Sequence, residues 1–197
     1  MGMVPGVIHT ARREGDAMMI VRRERPEDAA AVHAVHSAAF APPADGSSGG
    51  VGSSGGEVAE ARLADMLRAD GAIPALSLVA EVDGRIVGAV VCSRGSLDGE
   101  PSVGLGPIGV LPELQGDGVG SALMHAVLGA ADALDEPAVF LLGDPNYYRR
   151  FGFVLAAPLG LQPPHAEWAE HFQVRQLAAW DPAQRGAFAY AAAFDEL

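Results

Sequence analysis

The chain has 197 residues, 49% of them hydrophobic, with a formal net charge of −12 and one cysteine. That length fits one domain with a small extension at most, and the acidic balance argues against nucleic acid, because phosphate contacts need clustered Lys and Arg. The acidity suits cationic partners such as amines, or nothing more than a solvated surface. The lone Cys92 permits no internal disulfide and points to a reducing, cytoplasmic setting, and no apolar run is long enough to span a bilayer.

Residues 1–17 read as a disordered lead in which Arg12, Arg13, Glu14 and Asp16 interrupt any signal-peptide core. Met19 to Arg23 reads as a first strand. Pro26-Glu27-Asp28 opens a helix, with proline in the first turn and acids at the positive end of the dipole. Its apolar face is Val32, Val35, Ala39 and Phe40. His33 and His36 share this helix, but no third ligand has matching spacing, so no metal is expected. Pro42 to Gly56 is a Gly/Ser-rich segment, either a linker or a mobile lid. A second helix is expected over Glu57–Asp70, stopped by Gly71. Leu76 to Val82 and Arg85 to Ser93 flank Asp83-Gly84, which predicts a hairpin on a type I′ turn. Cys92 lies on the second of these strands, as a small core residue. Arg94 to Pro101 reads as a loop.

From Ser102 to Phe153 the chain carries its strongest pattern. An apolar run, Val103 to Leu111, ends at Pro112. The glycine-rich turn Gln115-Gly116-Asp117-Gly118-Val119-Gly120 follows. Val119, Leu123, Ala126, Val127, Ala130, Ala131 and Leu134 then recur at helical spacing, and Ala138 to Leu142 closes a strand–loop–helix–strand unit. Unpartnered N–H groups at a helix N-terminus attract anions, and glycines let backbone approach them closely. The loop is therefore either a phosphate cradle or a plain tight turn. Gly116-x-Gly118-x-Gly120 with Asp144 also allows a Rossmann unit or a methyltransferase using S-adenosylmethionine. Ser121 breaks that fingerprint, strands precede the loop, and too little chain follows it.

Taken together, Gln115, Gly118 and Gly120 as Q-x-x-G-x-G, the preceding L-G-P-I-G-V-L-P strand, and Tyr148, Arg150, Gly152 and Phe153 in P-N-Y-Y-R-R-F-G-F resemble the GNAT superfamily of N-acetyltransferases. The likeness is greatest to a bacterial subgroup carrying LGPL-V-P and LGDP-YY-RFGF. It covers roughly Met18 to Leu161, with residues 162–197 expected to complete the same domain. It implies an α/β fold with a mixed, mostly antiparallel sheet, flanking helices and a splayed central strand. It implies acetyl-CoA as co-substrate, a small-molecule or peptide amine as acceptor, and direct transfer in a ternary complex; a homodimer is compatible with it.

The resemblance also assigns roles. Ile108, Gly109 and Val110 would pair with the pantetheine arm, with the Val110 N–H polarising the acetyl carbonyl. Gly106, Pro107 and Gly109 suit a bulged strand. Gln115, Gly116, Asp117, Gly118, Val119 and Gly120 would hold the pyrophosphate, and Ser121 adds a hydroxyl. Asp117 stands where the family often has Arg or Lys, which implies weaker cofactor binding. Tyr148 would be the general acid, with Tyr147 one register away; the alternative is an aromatic cluster of Tyr147, Tyr148, Phe151 and Phe153 under the sheet. Glu57, Glu60 and Glu100 are in regions able to face the cleft, and none is singled out as base. A non-catalytic acyl-CoA-binding module stays open beside the enzyme. Phe172 to Leu177 reads as a final strand after a proline-rich excursion, and Ala183 to Leu197 carries no recognisable chemistry.

Overall fold

The computed structural model describes residues 18–42 and 58–196. The expected lead, nearly all of the Gly/Ser-rich segment and Glu57 lie outside the described residues. β1 (Met19–Arg23), β2 (Leu78–Val82), β3 (Arg85–Leu97) and β4 (Glu100–Val110) form an antiparallel meander. Asp83 and Gly84 both take positive φ, 49° and 83°, as the type I′ hairpin requires.

The expected loop from Arg94 to Pro101 is instead strand on either side of a two-residue turn. Asp98-Gly99 makes a second tight turn with φ of 51° and 87°, so β3 and β4 pair out to Leu97 and Glu100. It is the same Asp-Gly signal, hidden in sequence because Arg94, Ser96 and Pro101 break the apolar run.

The helix α1 (Ala29–Ala39) is preceded by a 3-10 turn at Pro26–Asp28, and α2 (Ala59–Ala69) runs slightly shorter than expected. They cover one face of the sheet: Val32 packs on Val79 and Ala89, while Leu63, Ala64 and Leu67 pack on Val91. Phe40 does not join the buried face; it caps α1 and stays 38% exposed. On the other face lies α3 (Val119–Ala133), burying Val119, Leu123, Met124, Val127 and Ala131 against Leu78, Ala80 and Cys92. Leu134 falls past its end and is exposed. Burial drives the Cys92 thiol pKa upward, which makes it an inert core residue.

After α3, β5 (Ala138–Leu142) pairs in parallel with β4, followed by α4 (Pro145–Tyr148). The short β6 (Val154–Leu155) and β7 (Leu161–Gln162) precede β8 (Phe172–Gln176), which lies antiparallel between β5 and β6. β8 is not the last strand. β9 (Gly186–Ala189) pairs with Ser96 and Leu97 of β3 and with β7. Phe140, Phe172 and Phe188 stack here in a second core with centroids 4.3–5.7 Å apart. Truncating one of these rings would cost about 3–5 kcal/mol. The antiparallel majority of pairs excludes the parallel sheet of a Rossmann methyltransferase.

Candidate active site

Between β4 and β5 the sheet opens. Only Val103 with Val139 and Gly104 with Phe140 are in register. Beyond Gly104 the two strands part, leaving one edge of β4 without β5. A bulge accompanies the divergence: Val90 faces Ile108 and Cys92 faces Leu105, so Gly106 and Pro107 together oppose Val91. Leu111 N–H donates to Val87 O at 2.9 Å. Strand alternation therefore turns the Val110 N–H the other way, toward the opening. The Val110 carbonyl accepts from Gln115 Nε2 at 3.0 Å, which ties the glycine loop to the strand.

The loop leads into α3 through Gly116 and Gly118, at φ of 91° and 89°. A Cβ at either would meet nothing within 4 Å, so it is backbone conformation and open space in front, not packing, that asks for glycine. The first helical bond is from Ala122 N to Gly118 O. The N–H groups of Val119, Gly120 and Ser121 thus have no helical acceptor, and the dipole adds partial positive charge there. No side chain caps this end.

Tyr147 and Tyr148 are set by α4. Asp144 caps it by accepting from Asn146 N at 2.9 Å, and Pro145 occupies its first turn. Gly143 makes room for the Tyr148 ring, since a Cβ there would collide with it. Gly143 is itself held on both sides, its carbonyl by Gln173 Nε2 at 2.9 Å and its N–H by His171 O at 3.0 Å. Burial, and secondarily Tyr147, push the Tyr148 pKa up to about 12. Tyr147 Oη stands 3.0 Å from the Cβ position of Gly120, and the Arg150 guanidinium lies 4.0 Å over the Tyr147 ring. Arg150 is thereby brought to the N-terminal end of α3.

These groups line one cleft of about 1260 Å³. Of the residues singled out in sequence, Ile108, Val110, Gln115, Gly116, Gly118, Gly120, Ser121, Tyr147 and Tyr148 face it. Gly109 points instead at His36, Asp117 is exposed beside the loop, and Val119 is turned into the core. Of the three glutamates, Glu60 lines the cleft, Glu100 is at the opposite end of β4 from Val110, and Glu57 is outside the described residues.

Sequence reading missed the far wall. Tyr190, Phe194 and Asp195 of the C-terminal segment line it, with His165 and Trp168. No periodic signal marks that segment, and its pairing with β3 and β7 carries it to the cleft. Among the described residues no group of side chains could hold a metal ion, and no helix is long and apolar enough to cross a membrane.

A family model described as an acetyltransferase (GNAT) domain matches residues 74–155. An uncharacterized N-acetyltransferase from Escherichia coli K12, YhbS, is 38% identical over 123 residues, spanning 61% of this chain and 73% of the relative. The crystal structure of Escherichia coli YhbS, a GNAT family N-acetyltransferase in complex with CoA, superposes with a TM-score of 0.80 at 29% identity, covering 94% of this chain and 96% of that one. A GNAT family acetyltransferase from Brucella melitensis in complex with acetyl-CoA superposes with a TM-score of 0.70 at 35% identity, covering 90% and 99%.

Proposed function

This chain belongs to the GNAT acetyltransferase family, and from that premise we propose that its cleft binds acetyl-CoA along the open edge of β4 and passes the acetyl group directly to a primary amine. The observation that carries this reading is the divergence of β4 from β5 at Gly104, with the glycine loop and Tyr148 lining the same cleft. The CoA and acetyl-CoA bound to the two similar structures support acetyl-CoA as the co-substrate of an acyltransferase.

Each requirement of the chemistry has a group in the cleft. The exposed β4 edge at Ile108 and Val110 offers backbone donors and acceptors to the amide-bearing pantetheine arm, as an added strand would. The N–H groups at the start of α3 receive the pyrophosphate. Arg150 supplies there the positive charge that Asp117 does not. The Val110 N–H donates to the thioester oxygen as it becomes an oxyanion.

The acceptor ammonium first loses a proton to cleft water, beside Glu60, the one of the three considered glutamates that lines the cleft. The amine lone pair attacks the carbonyl carbon, and the C–N bond forms. The C–S bond then breaks, and the thiolate takes the Tyr148 phenol proton. The nitrogen gives up its second proton, which restores Tyr148. The balance is an ammonium and acetyl-CoA giving an N-acetyl amide, free CoA and one proton. With its pKa raised to about 12, Tyr148 is fully protonated at neutral pH and available for this donation.

Calorimetric titration with acetyl-CoA, with S-adenosylmethionine as control, tests the reading. Wild type and Tyr148→Phe should both bind acetyl-CoA, and neither should bind S-adenosylmethionine. Failure of wild type to bind acetyl-CoA would sink it.

A further inference from the structure

The half of the cleft away from the glycine loop has a chemistry of its own. A chain of rings crosses it. Phe194 stacks on Tyr190 with centroids 4.4 Å apart, Trp168 meets Tyr190 at 6.5 Å, and His165 packs edge-on against Trp168 at 4.5 Å. Two carboxylates line the same cleft: Glu60 in the first turn of α2, and Asp195, which follows Phe194 in sequence. Leu63 of α2 and Phe194 pack in one cluster, which draws the two elements into a single wall.

Among the described residues, no hydrogen bond or ion pair engages Glu60 or Asp195, whereas their neighbours Arg62 and Glu196 engage each other at 3.5 Å. Arg150, the guanidinium of this cleft, is stacked on Tyr147 beside the glycine loop.

An independent observation points at a ligand. The Tyr190 hydroxyl is shut away from solvent and has no hydrogen-bond partner, although its ring lines the cleft. Buried hydroxyls are almost always partnered in folded proteins. The ring sits at the vertex of the strand opening, beside Gly104, and near enough to Tyr148 for the two phenols to interact electrostatically.

Resting on the acetyl-transfer reading above, we propose that the acceptor is a cationic amine on a flat apolar body, an arylalkylamine without a carboxylate. Glu60 and Asp195 draw in the ammonium. The body lies against Phe194 and Trp168, whose faces favour both an apolar ring and a cation, with the edge of Tyr190 between them. Tyr190 Oη is the hydrogen-bond partner of the incoming amine. Acceptors with a carboxylate next to the amine meet two uncompensated negative charges and are rejected.

Acetyl-CoA-dependent release of CoA, measured with phenethylamine and with phenylalanine as probes, tests the acceptor class. Phenethylamine should exceed phenylalanine about tenfold or more in kcat/KM. Glu60→Gln and Asp195→Asn should each raise KM for phenethylamine about fivefold. They should leave unchanged the Kd for acetyl-CoA and the inhibition constant of 2-phenylethanol, the uncharged counterpart of the amine. Tyr190→Phe should lower kcat/KM about fivefold while the melting temperature holds or rises, because an unpartnered hydroxyl adds no stability. Equal rates with the two probes, or an unmoved KM in both carboxylate variants, overturns the acceptor class while acetyl-CoA binding keeps the transferase reading intact. Unchanged kcat/KM in Tyr190→Phe removes the hydroxyl from the site. Absence of acetyl-CoA binding in wild type removes both readings together.

Discussion

The ring of Tyr190 lies directly on Gly104: a Cβ added at Gly104 would stand 2.8 Å from Cδ1 and 2.9 Å from Cε1 of the tyrosine. Gly104 is also the last residue of β4 in register with β5. The ring therefore occupies the vertex of the opening, and a residue from the far end of the chain forms the floor of the cleft.

Gly104→Ala should force that ring out of place. The new methyl has strand backbone behind it and an aromatic ring in front, so overpacking should cost about 1–3 kcal/mol. Thermal unfolding of Gly104→Ala, Tyr190→Leu and the double variant measures it. Because the two residues touch, the costs should fall short of additive by about 0.5 kcal/mol or more. Strict additivity would mean that the ring does not rest on Gly104.

Gly118 and Gly129 give opposite expectations although a Cβ at either meets nothing within 4 Å. Gly118 has φ +89°, where a side chain is strained, and its Cβ would project at the start of α3. Gly118→Ala should cost about 1–2 kcal/mol of stability and weaken acetyl-CoA binding more than tenfold. Gly129 lies within α3, so Gly129→Ala should stabilise by up to about 1 kcal/mol and leave binding unchanged. Calorimetry with acetyl-CoA on the two variants separates a phosphate cradle from a tight turn.

Tyr148→Phe should leave acetyl-CoA affinity intact and lower kcat by about 10²–10⁴, the usual share of a general acid. Its pH profile carries a further expectation. Burial raises the Tyr148 pKa to about 12, so the acid form persists through the alkaline range. Wild-type kcat should climb as the amine loses its proton and show no falling limb until the pH approaches 12. A falling limb near pH 10, the ordinary tyrosine value, that persists in Tyr148→Phe would assign the proton to another group.

How much of this was legible beforehand follows the range of the interactions. The Asp83-Gly84 turn, the strand from Val103, the glycine loop and α3 are local patterns, and each formed close to where its residues asked for it. The bulge at Gly106-Pro107 was legible too, because proline cannot donate to a ladder. The acceptor wall was not. Tyr190, Phe194 and Asp195 reach the cleft through the pairing of β9 with β3, a contact between residues more than ninety positions apart. No period or motif encodes such a partner. Arg150 was visible as a motif letter, but its stacking on Tyr147 depends on the turn of α4.

His36 makes the fold acid-sensitive from inside α1. It is fully buried, and neither ring nitrogen has a hydrogen-bond partner. Burial first, then the nearby Arg68, pushes its pKa down to about 4 from an ordinary 6.5; His33 adds to this, and Asp65 opposes it. Above pH 6.5 neither the folded nor the unfolded chain protonates this ring, and stability is complete. As the pH falls from 6.5 toward 4, the unfolded chain binds the proton and the folded chain does not. Stability is lost over that window, on the order of 3 kcal/mol. Asp28 acts in a lower window, because hydrogen bonds from Arg22 hold its carboxyl below the ordinary carboxylate value. Its contribution is lost only under more acidic conditions. His36 Nδ1 also stands 2.8 Å from the Cβ position of Gly109, so the ring backs directly onto the β4 segment that borders the cleft. Melting temperatures of wild type and His36→Leu at intervals from pH 7 to pH 4.5 should therefore diverge. Wild type should fall steadily across this range, and His36→Leu should stay nearly level until the carboxylates begin to titrate. Parallel curves for the two proteins would place the acid-sensitive group elsewhere in the chain.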